Sequence, residues 1–234
     1  MRNVAVILAA GKGTRMGSRI SKQYIDVLGK PVIYYTLNAF ENSTVDEIIL
    51  VISEQDRNYV EETILNHYGF HKIKRIVCGG KERYHSVYNA LKQAGEADNV
   101  LIHDGARPLI LPGQIDMLVK QMEIYKACVA GMPVKDTIKI VDQDQYVTDT
   151  PERSRIWQVQ TPQVFRYSEI KEAYDKMMLE EHPAVTDDAM VLEKYGNPDF
   201  KHEIRLVEVS YENIKVTTKE DLIFMKGILL NRGR

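Results

Sequence analysis

Short apolar runs alternate along the chain with stretches whose apolar residues recur at helical spacing. Continuous apolar runs are typical of strands buried on both faces, and they cover residues 3–8, 46–52, 73–78, 99–103 and 127–134. Helical spacing follows Pro31, covers residues 54–68 and 113–125, and precedes Gly95. The alternation predicts βαβ units, and therefore an α/β fold with a mostly parallel, Rossmann-like sheet and flanking helices.

The last third of the chain predicts further elements of both kinds. Helical spacing covers residues 167–181, a segment from Thr186 to about Tyr195, and residues 219–230, while residues 204–209 and 213–216 predict late strands. No repeat, low-complexity tract or long linker divides the sequence, so we predict one domain over residues 1–234.

The alternation lapses over residues 135–160. Three β-prone pieces, T-I-K-I-V, Q-Y-V-T-D-T and R-I-W-Q-V-Q, with a turn-like D-Q-D-Q between the first two, predict a β-hairpin arm that projects from the sheet. An arm that carries Ile138, Ile140, Val147 and Trp157 would be unstable alone. We therefore expect it to pack on a second copy of the chain in a homodimer.

Composition and charge exclude several classes of protein. The 234 residues are 44% hydrophobic and 27% charged, as in an ordinary globular domain. A net charge of −2 gives no global basic field, so nucleic acid and anionic membranes are not expected partners and any anion site must be local. Two cysteines make no disulfide framework, and the N-terminal apolar run is too short to span a membrane, so we expect a cytoplasmic protein.

The first apolar run leads into L-A-A-G-K-G-T-R-M-G, residues 8–17, which predicts a phosphate-binding loop. Glycine amides approach an anion closely, and Lys12 and Arg15 add positive charge. The G-x-G-x-x-x-G spacing does not fit the dinucleotide fingerprint, and the lysine-after-glycine order of a P-loop is absent. The alternative is a plain tight turn from strand to helix with two solvated cations.

Two other strands also end on candidate chemistry. Gly79 and Gly80 follow the third strand, and Asp104 follows the fourth. Because ligands of open α/β sheets bind at the carboxyl ends of the strands, we expect the glycine loop, this turn and Asp104 to converge at one edge.

Eight short strings, in order along nearly the whole chain, match one family. They are L-A-A-G-K-G-T-R-M-G, K-Q-Y from Lys22, G-G-K-E-R from Gly79, H-D-G-A-R-P from His103, V-K-D-T-I-K from Val134, W-Q-V-Q-T-P-Q-V-F from Trp157, T-D-D-A from Thr186 and N-I-K-V-T from Asn213. On these strings the sequence resembles the sugar-phosphate cytidylyltransferases, and most closely the family that acts on 2-C-methyl-D-erythritol 4-phosphate. Two alternatives stay open: a ribitol-5-phosphate cytidylyltransferase of teichoic-acid synthesis, and a CTP-binding relative without catalysis.

The resemblance implies a glycosyltransferase-A-like nucleotidyltransferase fold and a Mg²⁺-dependent reaction of non-mevalonate isoprenoid synthesis. In that reaction CTP and the polyol phosphate give CDP-methylerythritol and pyrophosphate, by in-line attack of a phosphate oxygen on the α-phosphorus of CTP. The attacking oxygen is already ionised near neutral pH. The protein therefore has to neutralise charge and fix geometry, which suits a site with many cations and no nucleophile.

The resemblance also assigns roles to individual residues. The expected catalytic residues are Arg15, Lys22 and Lys215. The expected nucleotide-binding residues are Ala9, Ala10, Gly11, Gly13, Thr14, Gly79, Gly80, Arg83, Ser86 and Asp104. The expected contacts of the polyol phosphate are Asp104, Arg107, Thr137, Arg153, Thr186 and Lys215, of which Thr137 and Arg153 lie on the arm and would serve the neighbouring copy. Asp104 is the expected protein ligand of Mg²⁺ or, alternatively, a partner of a substrate hydroxyl.

Several of these residues also have structural interpretations. Arg15 suits an ion pair, Lys22 a solvated surface lysine, and Lys215 a side chain that snorkels from an apolar strand. The Gly79-Gly80 pair suits a plain β-to-α turn, and Thr186 begins a string typical of a helix N-cap.

The string H-D-G-A-R-P raises two structural expectations. His103 is expected to be buried at a strand end rather than to bind a metal, because no second His or Cys stands at ligand spacing. The related family usually has H-D-A-A-R-P, so Gly105 replaces an alanine. Glycine is expected to loosen this turn and to admit a different backbone angle, which leaves the detailed placement of Asp104 open but not its presence.

Overall fold

Eleven strands form in residues 1–11, 21–198 and 203–233, which are the residues that the computed structural model describes. They are β1 (Asn3–Ala9), β2 (Asp26–Val27), β3 (Lys30–Pro31), β4 (Glu47–Ile52), β5 (Ile73–Cys78), β6 (Asn99–Asp104), β7 (Ala127–Pro133), β8 (Ile140–Val141), β9 (Val147–Asp149), β10 (Trp157–Arg166) and β11 (Ile204–Glu208). Seven of them make the central sheet, in the order β11-β7-β10-β6-β1-β4-β5. Only β10 runs antiparallel to its neighbours in this sheet, so the mostly parallel fold is confirmed.

Helices cover both faces of this sheet. They are α1 (Val32–Glu41), α2 (Arg57–Tyr59), α3 (Asn66–Tyr68), α4 (Arg83–Leu91), α5 (Pro112–Gln121), α6 (Tyr167–Met177), α7 (Asp188–Tyr195) and α8 (Lys219–Asn231). The helix expected over residues 54–68 is confirmed as one unbroken helical stretch. It begins with a 3-10 turn, Glu54–Asp56, and a π-helical part, Val60–Leu65, joins α2 to α3.

The central position of β1 explains its continuous apolar sequence. Side chains alternate between the two faces of a strand, so Ala5 and Ile7 join a core that includes residues of α1 and α5. Val4 and Val6 point the other way, into a core that includes residues of α4 and α6. All four side chains are fully buried. Because β1 runs through the middle of the sheet, the residue that follows it lies at the carboxyl edge of the sheet, between the two layers of helices.

The hairpin arm is present but shorter than expected. Strands β8 and β9 pair antiparallel, and residues 135–150 are exposed throughout. The expected arm boundary at residue 160 is wrong, because β10 begins at Trp157 and pairs with β7 in the central sheet. Trp157 lies against Gly131, where an added Cβ would be 3.5 Å from its ring.

Two strand predictions near the C-terminus have different outcomes. The strand expected over residues 204–209 is confirmed as β11, which pairs parallel with β7. The strand expected over residues 213–216 is wrong, because this segment lies outside any strand and docks on the end of the sheet. In the described ranges, no helix is both long enough and apolar enough to cross a membrane.

Candidate functional site

A cavity of about 430 Å³ opens at the carboxyl edge of the sheet. Its lining brings together the end of β1, the turn after β5, the end of β6 and the segment before α8. The lining includes Ala9, Ala10, Gly11, Lys22, Gln23, Gly80, Arg83, Ser86, Asp104 and Lys215. The expected convergence is therefore confirmed for these residues. Gly13, Thr14 and Arg15 lie outside the described residues.

A second cavity, of about 260 Å³, adjoins the first. It is lined by Arg107 and Thr186, two of the residues expected to contact the polyol phosphate. Arg83, Asp104 and Lys215 line both cavities, and we call these three residues the shared wall. Two reactants that occupy the two cavities would meet at the shared wall.

Three cationic side chains surround the carboxylate of Asp104. Its Oδ2 lies 2.7 Å from Lys215 Nζ and 3.9 Å from Arg107 Nε, and its Oδ1 lies 3.5 Å from Arg83 Nε. Burial alone would raise the pKa of Asp104, but the three cations outweigh burial and hold that pKa well below its usual range. Asp104 is therefore ionised at neutral pH. The three cations outnumber the two carboxylates, Asp104 and the Asp188 that pairs with Arg83, so the cluster carries a small net positive charge.

Arg107 contributes positive charge to the second cavity. One terminal nitrogen donates to the Asn213 carbonyl at 2.8 Å. Its Nε is buried, has no hydrogen-bond partner among the described residues and lies 3.9 Å from Asp104 Oδ2. The side chain lines the second cavity, so its charge favours an anionic ligand there.

A buried chain of hydrogen bonds fixes the backbone on each side of Asp104. The Asp104 amide donates to Thr161 Oγ1 at 3.1 Å, Thr161 Oγ1 lies 3.0 Å from His103 Nδ1, and His103 Nε2 lies 3.2 Å from the Arg107 carbonyl. A carbonyl only accepts, so Nε2 carries the proton and the Thr161 hydroxyl donates to Nδ1. Burial lowers the pKa of His103 to about 3, which keeps the ring neutral as this chain requires. The expectation that His103 is buried at a strand end is confirmed.

Lys215 is positioned by a docked loop rather than by a strand. The buried Asn213 side chain donates to Gln160 Oε1 at 2.9 Å and to the Thr161 carbonyl at 3.0 Å. The Val216 amide donates to the Ala106 carbonyl at 2.8 Å, and Lys22 Nζ donates to the Val216 carbonyl at 2.8 Å. The strings Q-T-P-Q and N-I-K-V-T are therefore two halves of one structural unit.

The turn at Gly79 and Gly80 has a steric role that the sequence left open. A Cβ on Gly79 would overlap Ala10 Cβ and lie 3.0 Å from Ser86 Oγ, so only glycine lets the two loops approach. The Gly79 amide donates to the Ile52 carbonyl at 2.8 Å, and the Gly80 amide donates to Ser86 Oγ at 3.0 Å. Both amides are already used, so any reading of the base by this turn has to use its carbonyl groups.

Gln23 is a residue of the cavity whose role the sequence did not reveal. It is 2% exposed, and its Nε2 donates to the Ala9 carbonyl at 2.6 Å and to the Gly11 carbonyl at 3.2 Å. It thereby ties the start of the glycine loop to the K-Q-Y string. That string was the available signal, because it lies close to the loop and is shared with the family that the sequence resembles.

The guanidinium of Arg83 is fixed by an ion pair inside the protein. Its two terminal nitrogens donate to the two oxygens of Asp188, at 2.8 and 2.7 Å. Burial would lower the pKa of Arg83, but the charges of Asp188 and Asp104 outweigh it and raise that pKa above its ordinary value. The sequence indicates only that Asp188 belongs to a helix start. In the structure Asp188 is fully buried beside the site.

The remaining expected contacts divide between the second cavity and the arm. Thr186 lines the cavity but is not the N-cap of α7. That role belongs to Asp187, whose carboxylate accepts from the Met190 amide at 2.9 Å. Thr137 and Arg153 lie exposed on the arm and line neither cavity of their own chain.

The turn at Gly105 is not loose. Among the described residues its φ is not one of the positive values, and its amide donates to the Leu8 carbonyl at 2.8 Å. An added Cβ would lie 2.9 Å from that carbonyl oxygen. The turn is closely packed against the end of β1, so the expectation of a loosened turn is wrong.

The donor set fits a divalent cation that arrives with a nucleotide. Within the described ranges, no group of three or more His, Cys, Asp or Glu side chains could hold a metal. Among the described residues, the contact recorded for Asp104 Oδ1 is the one with Arg83 Nε at 3.5 Å, so this oxygen keeps the capacity to bind a cation. Mg²⁺ ordinarily takes one or two carboxylates and fills its other positions with phosphate oxygens and water.

Known proteins of one family resemble this chain along its whole length. The family model of IspD, 2-C-methyl-D-erythritol 4-phosphate cytidylyltransferase, matches residues 3–231. The enzyme of that name from Lachnospira eligens is 49% identical over 231 residues, covering 96% of this chain and all of that protein. The one from Lachnoclostridium phytofermentans is 47% identical over 225 residues, covering 96% of this chain and 95% of that protein.

A solved structure shows the same fold. The crystal structure of 4-diphosphocytidyl-2C-methyl-D-erythritol synthase from Anaerococcus prevotii superposes with a TM-score of 0.86 at 35% identity. The match covers 98% of this chain and 96% of that one.

Proposed function

This chain belongs to the 2-C-methyl-D-erythritol 4-phosphate cytidylyltransferase family, and on that premise we propose how its residues divide the reaction between the two cavities. The chain transfers the cytidylyl group of CTP to 2-C-methyl-D-erythritol 4-phosphate, which gives CDP-methylerythritol and pyrophosphate for isoprenoid precursor synthesis. CTP occupies the larger cavity and the smaller polyol phosphate occupies the other.

The shared wall is the observation that carries this division. Arg83, Asp104 and Lys215 line both cavities, so the α-phosphorus of CTP and the phosphate of the polyol meet there. Both reactants are anions, and their approach requires neutralisation of charge. The excess of cations around Asp104 supplies it before the substrates bind, which avoids reorganisation during the reaction.

In the proposed mechanism, the protein orients the phosphates and contributes no nucleophile. Lys215, which lines both cavities beside Asp104, contacts the phosphates from its place in the shared wall, while Lys22, which lines the CTP cavity, contacts the triphosphate. Arg15 remains a prediction from the family resemblance. The polyol phosphate needs no general base, because its attacking oxygen is already ionised at neutral pH.

We assign Asp104 to a metal that enters with CTP. When bound, Mg²⁺ would neutralise charge on the triphosphate and make pyrophosphate a better leaving group. Asp104 Oδ1, which faces Arg83 Nε at 3.5 Å, is the protein atom proposed to hold it. The alternative role of Asp104, as acceptor for a hydroxyl of the substrate, uses the same oxygen.

The exposed arm supports a homodimer in which each copy completes the site of the other. Tyr146 is 73% exposed and Val147 is 59% exposed, so the arm presents apolar side chains that a partner would cover. Thr137 and Arg153 lie on this arm, away from the cavities of their own chain. We assign them to the polyol phosphate bound in the neighbouring copy.

A panel of polyol phosphates tests the proposed function. With CTP and Mg²⁺, methylerythritol phosphate should release pyrophosphate at a kcat/KM at least about a hundredfold above that for ribitol 5-phosphate. Turnover on ribitol 5-phosphate alone would replace the assignment by the teichoic-acid activity. Binding of CTP without release of pyrophosphate from either acceptor would identify a non-catalytic relative.

A further inference from the structure

Asp188 has a buried charge that the reaction itself does not require. Its side chain is fully buried at the first residue of α7, and it lines neither cavity. A buried carboxylate is strongly unfavourable unless it is paired and hydrogen-bonded. Its location behind the shared wall therefore calls for a role in holding a residue that does face the substrates.

Both carboxylate oxygens of Asp188 accept hydrogen bonds. Oδ1 accepts from one terminal nitrogen of Arg83 at 2.8 Å and from the Tyr174 hydroxyl at 2.6 Å, and Oδ2 accepts from the other terminal nitrogen at 2.7 Å. Two parallel bonds fix the plane of a guanidinium as well as its position. Tyr174 is itself fully buried on α6, so it fixes the carboxylate in turn.

The ion pair with Asp188 also fixes the direction of the remaining N–H groups of Arg83. The pair with Asp188 uses one N–H from each terminal nitrogen. The Nε side of the guanidinium then faces Asp104, whose Oδ1 lies 3.5 Å away. Arg83 lines both cavities, so its remaining donors are available to phosphates at the point where the two reactants meet.

We propose that Asp188 is a positioning residue for cytidylyl transfer, which acts by orienting Arg83 in the shared wall. Tyr174 belongs to the same unit as the residue that orients Asp188. The inference rests on the proposed function, because it assigns the transferred phosphate to the wall that Arg83 lines. A misorientation of this guanidinium affects the bound transition state more than the binding of either substrate.

A double-mutant cycle tests this assignment. In the wild-type background, Asp188→Asn should lower kcat by roughly tenfold to a hundredfold and change the KM of either substrate by less than about threefold. In an Arg83→Gln background the same substitution should change kcat by less than about threefold, because the group that it orients is gone. A purely structural role would lower the thermal midpoint and leave the kcat of the folded enzyme unchanged in both backgrounds.

A second carboxylate, on α6, has the same kinds of partner as Asp188 but is 46% exposed and serves as a control. Asp175 also accepts from a tyrosine hydroxyl, that of Tyr88 at 2.8 Å, and from a cation, Lys171, but it lines neither cavity. Asp175→Asn removes the same charge and should leave kcat within about twofold of wild type. An equal loss of kcat in Asp175→Asn and Asp188→Asn would overturn the inference.

Tyr174→Phe keeps the test decisive if Asp188→Asn does not fold. This substitution removes one donor to Asp188 and retains the ring, so kcat should fall by a few fold. An unchanged kcat in Tyr174→Phe, or equal effects of Asp188→Asn with and without Arg83, would overturn the positioning role. Wild-type protein that does not turn over CTP and methylerythritol phosphate would instead contradict the proposed function.

Discussion

Acidification should destabilise the fold through His103, at a pH well above that at which Asp104 is protonated. Burial lowers the pKa of His103 to about 3 in the folded chain, whereas an unfolded histidine titrates near pH ~6.5. Between these values the unfolded chain binds a proton that the folded chain does not. Stability is therefore fully present above about pH 6.5 and falls as the pH drops towards 3.

The size of this effect follows from the two pKa values. Each pH unit within the window removes about 1.4 kcal/mol, so the free energy of unfolding should fall by about 2 kcal/mol between pH 6.5 and pH 4.5 from His103 alone. Asp104 has a lowered pKa, so its contribution is lost in the same direction, but only below its unfolded value of about 4. The interval from pH 6.5 to 4.5 thus isolates the histidine.

Urea unfolding of wild type and His103→Gln across this interval measures the difference. Glutamine supplies one donor and one acceptor, which suit the Arg107 carbonyl and the Thr161 hydroxyl, but it has no titrating group. The wild type should lose about 2 kcal/mol more than the variant from pH 6.5 to 4.5. Parallel curves for the two proteins would refute the argument that a neutral, buried His103 fixes the backbone of Asp104.

Four further results are expected. Lys22→Ala should lower kcat by about a hundredfold or more while the far-UV circular dichroism stays unchanged, and near-normal turnover would remove Lys22 from the site. Arg153→Ala should raise the KM for the polyol phosphate. If the arm acts in trans, a 1:1 mixture of the Lys22→Ala and Arg153→Ala chains should recover about a quarter of wild-type activity, because one of the two sites in each mixed dimer is intact. No recovery would mean that the arm acts in cis. Gly79→Ala should destabilise the fold by about 1–3 kcal/mol and raise the KM for CTP, because its Cβ overlaps Ala10, and a thermal midpoint and KM equal to wild type would contradict that packing. Removal of divalent cations with EDTA should abolish pyrophosphate release and added Mg²⁺ should restore it, whereas undiminished turnover in EDTA would contradict the metal assignment.

The parallel half of the fold was predictable because two-sided burial leaves a clear trace in sequence. Strand β5 has the bounds expected for it, and Asp104 ends β6 at the sheet edge that its charge suggested. The segment 213–216 also alternates apolar residues with polar ones. The Asn213 side chain, however, donates to Gln160 and Thr161, and a loop replaces the expected strand. Apolar composition alone does not distinguish these two outcomes.

Site residues were predictable where the side chain alone indicates the chemistry. They were not predictable where the role depends on a contact between residues far apart in sequence. Lys22, Lys215 and Asp104 line the cavities as the strings suggested. Asp188 escaped notice because its partner Arg83 lies 105 positions away, and its place at a helix start offers a sufficient local explanation. Gly105 misled for a related reason, because its close contact with Leu8 arises only from the pairing of β1 with β6.

Direct transfer at the shared wall has a stereochemical consequence at the α-phosphorus. CTP made chiral at that atom by a single sulfur substitution should give a CDP-methylerythritol analogue of inverted configuration, because one in-line displacement inverts the centre. Retention of configuration would require two displacements through a covalent cytidylyl-protein intermediate. That result would contradict the central claim that the two substrates react with each other across Arg83, Asp104 and Lys215.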